Sequence, residues 1–335
     1  MNPDAVSTVS RVPHGGADDV TILDFSANTN PNRPSGIAFA YESALATSTR
    51  YPSDDYVDFR VAAAEYVDCD PHDVIPTAGG MAALRLAFGV TVGPGDDVLL
   101  PEPSFGEYDR EIRLQGATPV AVAHDEILET DPRDYAAAVI CNPNNPTGEA
   151  ADPDELRAYL EDCRDADTVL IVDEAFLDFT DDPSLAGEPG VIVARSLTKM
   201  FGLPGLRAGF AVATAELGEK LNAARQAWSL STPAADVGEF CMRQQVFVTE
   251  TKVRVRIERE RMRERLSDAF EVYPSDAPFL LLGVEGDVDE LLSYARERGF
   301  ALRDARTFPT LDSHVRVAVR RPQENDKLVR TLLEF

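Results

Sequence analysis

The sequence predicts an α/β fold, with a mostly parallel sheet in a large domain and a smaller α+β domain. In the middle of the chain, short apolar runs alternate with helical patterns, as is typical of parallel strands joined by helices. One such helix is predicted over 154–164, because Asp152 and Pro153 supply an N-cap and a first-turn proline. The strand candidates are Asp97–Leu100, Thr118–Val122, Ala136–Cys141, Thr168–Asp173 and Gly190–Ser196.

The C-terminal part has a different pattern, which predicts the smaller domain. A long, charged helical pattern covers 234–270. Two short strand candidates, at 279–283 and 314–319, then flank a helical pattern at 287–298. We therefore expect three parts: an N-terminal segment that joins the small domain (1–45), a large domain (46–232) and a small α+β domain (233–335).

The charge balance excludes several classes of partner. The 335 residues include 58 acidic and 32 basic ones, which gives a formal net charge of −26. A surface this negative repels nucleic acids and anionic membranes, so we expect neither as a partner. Few long lysine side chains are available, since the chain has only four lysines: Lys199, Lys220, Lys252 and Lys327. This composition suits a salt-rich cytoplasm, and we take a halophilic source as a hypothesis.

The acidic surface leads to a prediction about folding. Salt screens the repulsion between carboxylates, so removing salt should destabilise the folded state. We expect the thermal unfolding midpoint, followed by circular dichroism, to fall steeply when molar salt is replaced by dilute buffer. Undiminished stability in dilute buffer would contradict the halophilic hypothesis.

The cysteines and the apolar runs predict no metal site and no membrane anchor. Cys69, Cys141, Cys163 and Cys241 lie far apart and form no C-x-x-C pair, so buried free thiols are expected instead of a zinc site or disulfides. The first thirty residues lack a signal-peptide pattern, and no apolar stretch approaches 18 residues. We therefore expect a soluble, cytoplasmic protein.

The run from Ser196 to Gly209 contains the strongest chemical candidate. Lys199 follows the apolar strand candidate and lies among small and apolar residues. Desolvation there would lower its pKa and favour the neutral amine that attacks carbonyl groups. Arg207, eight residues later, offers a forked cation suited to a phosphate, and Ser196 offers a hydroxyl. The alternative for Lys199 is a solvated surface lysine.

Two further strand ends carry polar residues. Asp173 ends an apolar strand candidate, and a carboxylate in that position could pair with a protonated ring nitrogen. The run Asn142–Gly148 follows another strand candidate, and its side-chain amides could donate to a phenolic oxygen. The alternatives are an acid at an ordinary strand end and a simple turn rich in Asn, Pro and Gly.

These three runs, in this order and spacing, resemble the fold type I aminotransferase superfamily over nearly the whole chain. The resemblance implies a domain at 46–232 that binds pyridoxal 5′-phosphate (PLP), with Lys199 as the Schiff-base lysine and Asp173 as the partner of the pyridinium nitrogen. It implies that Asn145 contacts the phenolic oxygen O3′ of the cofactor. Arg207 and Ser196 would hold the cofactor phosphate.

The resemblance extends to residues whose pattern alone says little. Gly79, Gly80 and Met81 precede a helical pattern, so their backbone N–H groups could also bind the phosphate; a plain strand–helix turn is the alternative. Phe105 matches the aromatic residue that stacks on the ring. Tyr51 resembles the tyrosine that reaches the cofactor of the neighbouring subunit, which implies an obligate homodimer.

One position departs from the common pattern of the superfamily. Many members have a tyrosine three residues after the ring aspartate, where this chain has Phe176. The cofactor would lose one donor to its phenolate oxygen there, which leaves Asn145 as the main one.

Three features narrow the resemblance to the branch of histidinol-phosphate aminotransferases and threonine-phosphate decarboxylases. They are His14-Gly15-Gly16 followed by the run 23–31, Trp228-Ser229, and the C-terminal run 315–325. The N- and C-terminal runs favour the decarboxylase, whose members make aminopropanol phosphate for cobamides. Both activities require a site for a phosphorylated, amino-acid-like substrate. The implied substrate residues are His14, Asn30, Arg316 and Arg320.

The two arginines have a structural argument of their own. Arg316 alternates with apolar neighbours on a strand candidate, which would direct it into a cleft, and Arg320 has the same parity. The alternative for both is a solvated, salt-bridged pair, and a lone loop histidine such as His14 is often structural.

Three functions therefore stay open at this point. The first is PLP-dependent decarboxylation of L-threonine O-3-phosphate, and the second is transamination of the histidinol-phosphate type. The orientation of the substrate decides between them, because the bond perpendicular to the cofactor ring is the one that breaks. The third is a non-catalytic PLP-binding module of a regulator, against which the negative charge and the lack of room for a DNA-binding domain before Gly15 both argue.

Overall fold

A computed structural model describes all residues, 1–335, and contains thirteen strands and twelve α-helices. The strands are β1 (Leu23–Asp24), β2 (Val74–Thr77), β3 (Asp97–Glu102), β4 (Thr118–Ala123), β5 (Ala137–Cys141), β6 (Val169–Asp173), β7 (Val191–Ser196), β8 (Gly209–Val212), β9 (Glu271–Val272), β10 (Phe279–Gly283), β11 (Phe300–Ala301), β12 (Arg303–Asp304) and β13 (His314–Ala318). The helices are α1 (Pro3–Val6), α2 (Ile37–Thr47), α3 (Val57–Val67), α4 (Gly80–Thr91), α5 (Glu107–Gln115), α6 (Pro153–Asp165), α7 (Thr198–Phe201), α8 (Ala215–Ala224), α9 (Thr232–Met242), α10 (Gln245–Leu266), α11 (Val288–Glu297) and α12 (Pro322–Leu333).

The large sheet has seven strands in the order β2-β8-β7-β6-β5-β3-β4. The pairs from β7 through β4 are parallel, and β8 runs antiparallel to both of its neighbours. Strands β5 and β6 are in register to their last residues, so Cys141 lies beside Asp173, and Asp173 lies beside Ala194 of β7. This arrangement confirms the predicted α/β class and places three candidate strand ends at one edge of the sheet.

The local signals that predict the central elements agree with their observed bounds. Asp152 caps α6 by accepting hydrogen bonds from the backbone N–H groups of Asp154 and Glu155. The strands β5 and β7 are buried almost throughout, as expected for parallel strands covered on both faces. Two short strands of the sheet, β2 and β8, are absent from the sequence-based assignment, because four-residue apolar runs carry little periodicity.

The long charged segment predicted over 234–270 is two helices instead of one. The chain breaks at Arg243–Gln244, and the parts on either side of the break pack differently. Helix α9 lies against α2 and α3, whereas α10 lies against α12 and the strands β9 and β10. The domain boundary predicted at 232/233 therefore falls at the start of α9, a helix that contacts α3 of the predicted large domain, and the boundaries stay a prediction.

The N-terminal segment contacts both parts of the molecule. Strand β1 pairs in parallel with β11, beside the small four-stranded sheet of β12-β13-β10-β9. Before it, α1 lies against α5, and the Asn2 N–H donates to the Leu114 carbonyl at 2.7 Å. Residues 1–45 thus link the small sheet to a helix of the large domain. None of the helices combines the length and the apolar character needed to cross a membrane.

Candidate active site

A cavity of about 470 Å³ lies at the carboxyl edge of the large sheet, where the small domain and the N-terminal segment cover it. The structure brings together there most of the residues that the sequence singles out. Those that line the cavity are His14, Gly80, Met81, Phe105, Asn145, Asp173, Phe176, Ser196, Lys199, Arg207 and Arg316.

Lys199 lies on α7, a single helical turn that begins two residues after β7. Its Nζ donates a hydrogen bond to the Ala27 carbonyl at 3.1 Å and lies 5.8 Å from the centre of the Phe176 ring. Burial lowers the pKa of Lys199 to about 8, and the positive charge of Arg316 acts in the same direction. At neutral pH the side chain therefore holds a larger fraction of neutral, nucleophilic amine than an exposed lysine does.

Asp173 supplies a buried carboxylate at the strand end in the cavity. It ends β6, is buried, and accepts hydrogen bonds from the Tyr108 hydroxyl at 2.8 Å and from the Ala175 N–H at 3.0 Å. Burial raises the pKa of Asp173, while these two hydrogen bonds and the charge of Lys199 act against that rise. The carboxylate is thus held in an apolar setting where its charge depends on a few specific donors.

Tyr108→Phe is predicted to shift the pH dependence of activity. The variant removes a hydrogen bond that stabilises the charged form of Asp173. The protonated form is then favoured up to a higher pH, so the pKa of Asp173 rises. The acidic limb of the kcat profile should move upward by about one to two pH units. The control is Tyr159→Phe, since the Tyr159 hydroxyl is buried without a partner in α6. A Tyr108→Phe profile identical to that of the control would contradict this role.

A glycine turn, a hydroxyl and an arginine form an anion cradle beside Lys199. Gly79 has φ +92°, and a Cβ there would lie 2.9 Å from Arg207 Nη2. A Cβ on Gly80, which begins α4, would lie 3.2 Å from the Ser196 side chain. The Arg207 guanidinium contacts only two backbone carbonyls, each at 3.4 Å, and no carboxylate. Open N–H groups at a helix start together with an unpaired guanidinium fit a phosphate.

Two buried arginines face the other side of the cavity. Arg316 on β13 and Arg303 on β12 are partners in register, so their side chains enter the cavity together. Arg316 donates to Asn145 and, at 3.2 Å, to the Ser26 carbonyl, and its guanidinium stacks 4.8 Å from the Phe279 ring centre. Burial and the nearby Arg303 lower the pKa of Arg316 to about 9. Neither arginine has a carboxylate partner.

Several predicted residues lie elsewhere or make other contacts. The Asn30 amide donates to the Met200 carbonyl at 2.7 Å and accepts from Arg254, outside the cavity. Arg320 pairs with Glu324 at 3.1 Å and donates to the Asp24 carbonyl, so the salt-bridged alternative describes it. In this structure neither side chain lines the cavity, and their substrate role stays a prediction.

His14 and Tyr51 are placed differently from each other. His14 lines the cavity, with Nε2 2.9 Å from a carboxylate oxygen of Glu107 and its ring 5.8 Å from Phe105. Tyr51 lies outside the cavity, is mostly exposed, and stacks on Trp228 at 4.6 Å between ring centres.

The sequence-based prediction misses Arg303, which lines the cavity, and Tyr108, which is buried outside the cavity lining and donates to Asp173. Arg303 lies on a two-residue strand whose pairing with β13 is not visible in a periodicity. Tyr108 lies on α5, and its helical position alone suggests a core residue. Their only signal in the sequence is closeness to Phe105 and to the predicted small-domain strands.

Comparison with known proteins identifies the family of this chain. The family model described as "Aminotransferase class I and II" matches residues 20–332. The chain belongs to this family. Members of the family are enzymes that use pyridoxal 5′-phosphate.

Similar proteins include both activities that the sequence leaves open. The chain is 31% identical to histidinol-phosphate aminotransferase 2 of Archaeoglobus fulgidus over 95% of its length and 94% of that protein. It is 30% identical to the threonine-phosphate decarboxylase of Salmonella typhimurium, over 93% of this chain and 90% of that one. Among solved structures, the L-threonine-O-3-phosphate decarboxylase of Porphyromonas gingivalis matches with a TM-score of 0.86 and 25% identity, covering 94% and 99% of the two chains.

The cavity residues fit the cofactor of the family. The buried lysine with a lowered pKa, the buried carboxylate and the cradle of Gly79, Gly80 and Arg207 match a covalently held pyridinium phosphate. A Cβ at Gly79 would fill part of that cradle, which explains why glycine occupies this position.

Proposed function

We propose that this protein binds PLP through Lys199 and decarboxylates L-threonine O-3-phosphate to aminopropanol phosphate. In the overall reaction the bond between Cα and the carboxylate breaks, carbon dioxide leaves, and a proton takes its place on Cα. The observation that supports this substrate is the pair of buried arginines in the cavity, Arg303 and Arg316.

These two cations can bind two anionic groups of one substrate. The protein has three buried arginines, and the third, Arg195, forms ion pairs with two acids, whereas Arg303 and Arg316 form none. Burying a charge without a partner destabilises the folded protein by several kcal/mol, so such arginines are expected to meet an anion from outside. L-Threonine O-3-phosphate carries both a phosphate and a carboxylate, while histidinol phosphate carries a phosphate and no carboxylate.

The residues of the chain divide the remaining tasks. PLP, when bound, supplies an electron sink that weakens bonds at the Cα of an amino acid. Asp173 would pair with the ring nitrogen, and Arg207 with Ser196 and the start of α4 would hold the phosphate. Asn145 keeps its amide NH2 group free, because only its oxygen is engaged by Arg316. Lys199 can hold or release a proton at Nζ near neutral pH.

The arginines also determine which bond of the substrate is exposed. By fixing the phosphate and the carboxylate at two points, Arg303 and Arg316 would set the rotation about the bond between Cα and nitrogen.

Transamination of the histidinol-phosphate type is the second candidate, and the Archaeoglobus fulgidus relative supports it.

Product analysis distinguishes the two candidates. Purified enzyme loaded with PLP is incubated with L-threonine O-3-phosphate, and released carbon dioxide is measured. A parallel reaction contains histidinol phosphate and 2-oxoglutarate, and glutamate is measured. We expect carbon dioxide in the first reaction and no glutamate in the second; glutamate without carbon dioxide would establish the aminotransferase instead.

We also propose a homodimer that places Tyr51 at the cofactor phosphate of the partner subunit. Tyr51 and its neighbour Trp228 are exposed, and Tyr51 lines a second cavity of about 880 Å³ together with Tyr41 and Leu45. Exposed apolar side chains grouped in this way are typical of interfaces between subunits. Analytical ultracentrifugation should give a dimer, and Tyr51→Phe should weaken PLP binding; a fully active monomer would contradict the proposal.

A further inference from the structure

A buried ion network lies directly behind the cavity and takes no part in the chemistry described above. Arg195 donates to Glu174 at 2.8 Å and also to Asp178, and its guanidinium lies 5.8 Å from the centre of the Tyr66 ring. All three charged side chains are at least nine-tenths buried. The other carboxylate oxygen of Glu174 accepts a hydrogen bond from the Leu185 N–H at 3.0 Å, so both oxygens of this buried acid have a donor.

The network joins the strand ends that carry the candidate catalytic residues. Glu174 follows Asp173 directly, and Arg195 lies four residues before Lys199 on the neighbouring strand. The pairing of β6 with β7 ends at Asp173 and Ala194, and the Glu174 N–H makes one more bond, 2.9 Å, to the Ala194 carbonyl. Beyond Glu174, the two chain segments are joined by the ion pairs of Arg195 with Glu174 and Asp178 and no longer by paired strands.

The third member of the network extends it to the wall of the cavity. Asp178 lies in the short 3₁₀ turn Leu177–Phe179, directly after Phe176. Phe176 faces the amine of Lys199 and packs edge-on against Phe279 at 5.2 Å between ring centres. Arg195 is therefore connected to three sides of the site: the carboxylate, the lysine and the aromatic wall.

We propose that Arg195 is a positioning residue: by bridging Glu174 and Asp178 it fixes Asp173, Phe176 and Lys199 relative to one another and keeps water from behind the cavity. Arginine suits this role because its planar fork can bind two carboxylates at once, which the point charge of lysine cannot do. The proposal goes beyond the proposed function and does not depend on which substrate the enzyme uses.

Stability measurements alone cannot separate this role from a merely structural one. Breaking a buried ion pair is strongly destabilising wherever it lies. The discriminating readout is the pKa of Lys199, because burial is the main reason that it lies at about 8. Water admitted behind the cavity would raise that pKa toward the ordinary value of lysine, ~10.4.

The test uses variants that preserve charge, so a changed pKa reports position and hydration instead of a lost charge. Arg195→Lys is the main variant, and Asp178→Glu is the second in case the first does not fold. Arg261→Lys is the matched control, since Arg261 also bridges two acids, Glu258 at 2.6 Å and Asp326 at 2.5 Å, away from the cavity. Folding of each variant is checked by circular dichroism.

The few lysines of the chain make the measurement direct. Reductive ¹³C-methylation of the full-length, cofactor-free protein labels the four lysines and the N-terminal amine, plus an introduced lysine where present, and the pH dependence of each NMR signal gives its pKa. In both Arg195→Lys and Asp178→Glu we expect the pKa of Lys199 to rise from about 8 toward ~10.4. The Arg261→Lys control should keep the value of the wild type.

Turnover of the PLP-loaded enzyme provides the second readout. Misplacement by a fraction of an ångström should lower kcat by up to about 100-fold in both variants, with a smaller change in KM. A folded Arg195→Lys or Asp178→Glu variant with the Lys199 pKa and the kcat of the wild type would overturn the proposal. Since the pKa measurement needs no substrate, its outcome is independent of whether the enzyme is a decarboxylase.

Discussion

Lys199→Ala should lower kcat by about 10⁴-fold, the upper end of what a positioned proton-transfer group contributes. In the proposed function, Lys199 supplies both the amine that binds the cofactor and the group that can move a proton at Cα. The variant should also lose the visible absorption that PLP gives when it is bonded to the enzyme. Activity is followed by product formation, and absorption by a spectrum of the protein after excess PLP is removed.

The control for this prediction is Lys220→Ala. Lys220 is exposed on α8 and pairs with Glu216 at 2.8 Å, one helical turn away. An exposed pair of this kind contributes little, so the control should keep both turnover and the visible band. Equal behaviour of the two variants would show that Lys199 is not the lysine that holds the cofactor.

Arg316→Met should lower kcat/KM for L-threonine O-3-phosphate by about 100-fold, which corresponds to about 3 kcal/mol of lost binding. Arg316 is buried, stacks on Phe279 and lacks a carboxylate partner, so a substrate anion would bind it in a water-poor setting. Methionine has a similar length and leaves the apolar contacts largely in place. Steady-state kinetics with the phosphorylated substrate give the ratio.

Arg320→Met provides a matched control, because Arg320 lies four residues later and is paired with Glu324 outside the cavity. We expect its kcat/KM to stay within a few-fold of the wild type, since an ion pair outside the site does not bind substrate. If Arg320→Met lost as much activity as Arg316→Met, the placement of the substrate anion at Arg316 would be wrong.

Much of this site could be predicted from the sequence because parallel strands place their ends together. The runs that end in Cys141, Asp173 and Ser196 each carry a readable apolar strand, and the sheet brings the three ends to one edge. Buried strands are rich in apolar residues, so the predicted bounds of these three strands differ by only a few residues from the observed ones. Lys199 follows the last of these runs, whereas the glycine turn follows β2, a strand that is absent from the sequence-based assignment.

The substrate side of the cavity could not be predicted in the same way. Alternation along a strand predicts that Arg316 and Arg320 lie on the same face of it. The strand β13 ends before Arg320, however, and Arg320 forms an ion pair with Glu324. Arg303 enters the cavity through a short antiparallel pairing between β12 and β13. Such tertiary pairings depend on residues distant in sequence, and no local pattern records them.

The attachment of the cofactor to Lys199 is the central claim, and one measurement tests it directly. The PLP-loaded enzyme is treated with borohydride, which makes the bond between the cofactor and the lysine permanent, and is then digested and examined by mass spectrometry. We predict one phosphopyridoxyl group, on the peptide that contains Lys199. A label on Lys220, Lys252 or Lys327, or no label on any lysine, would contradict it.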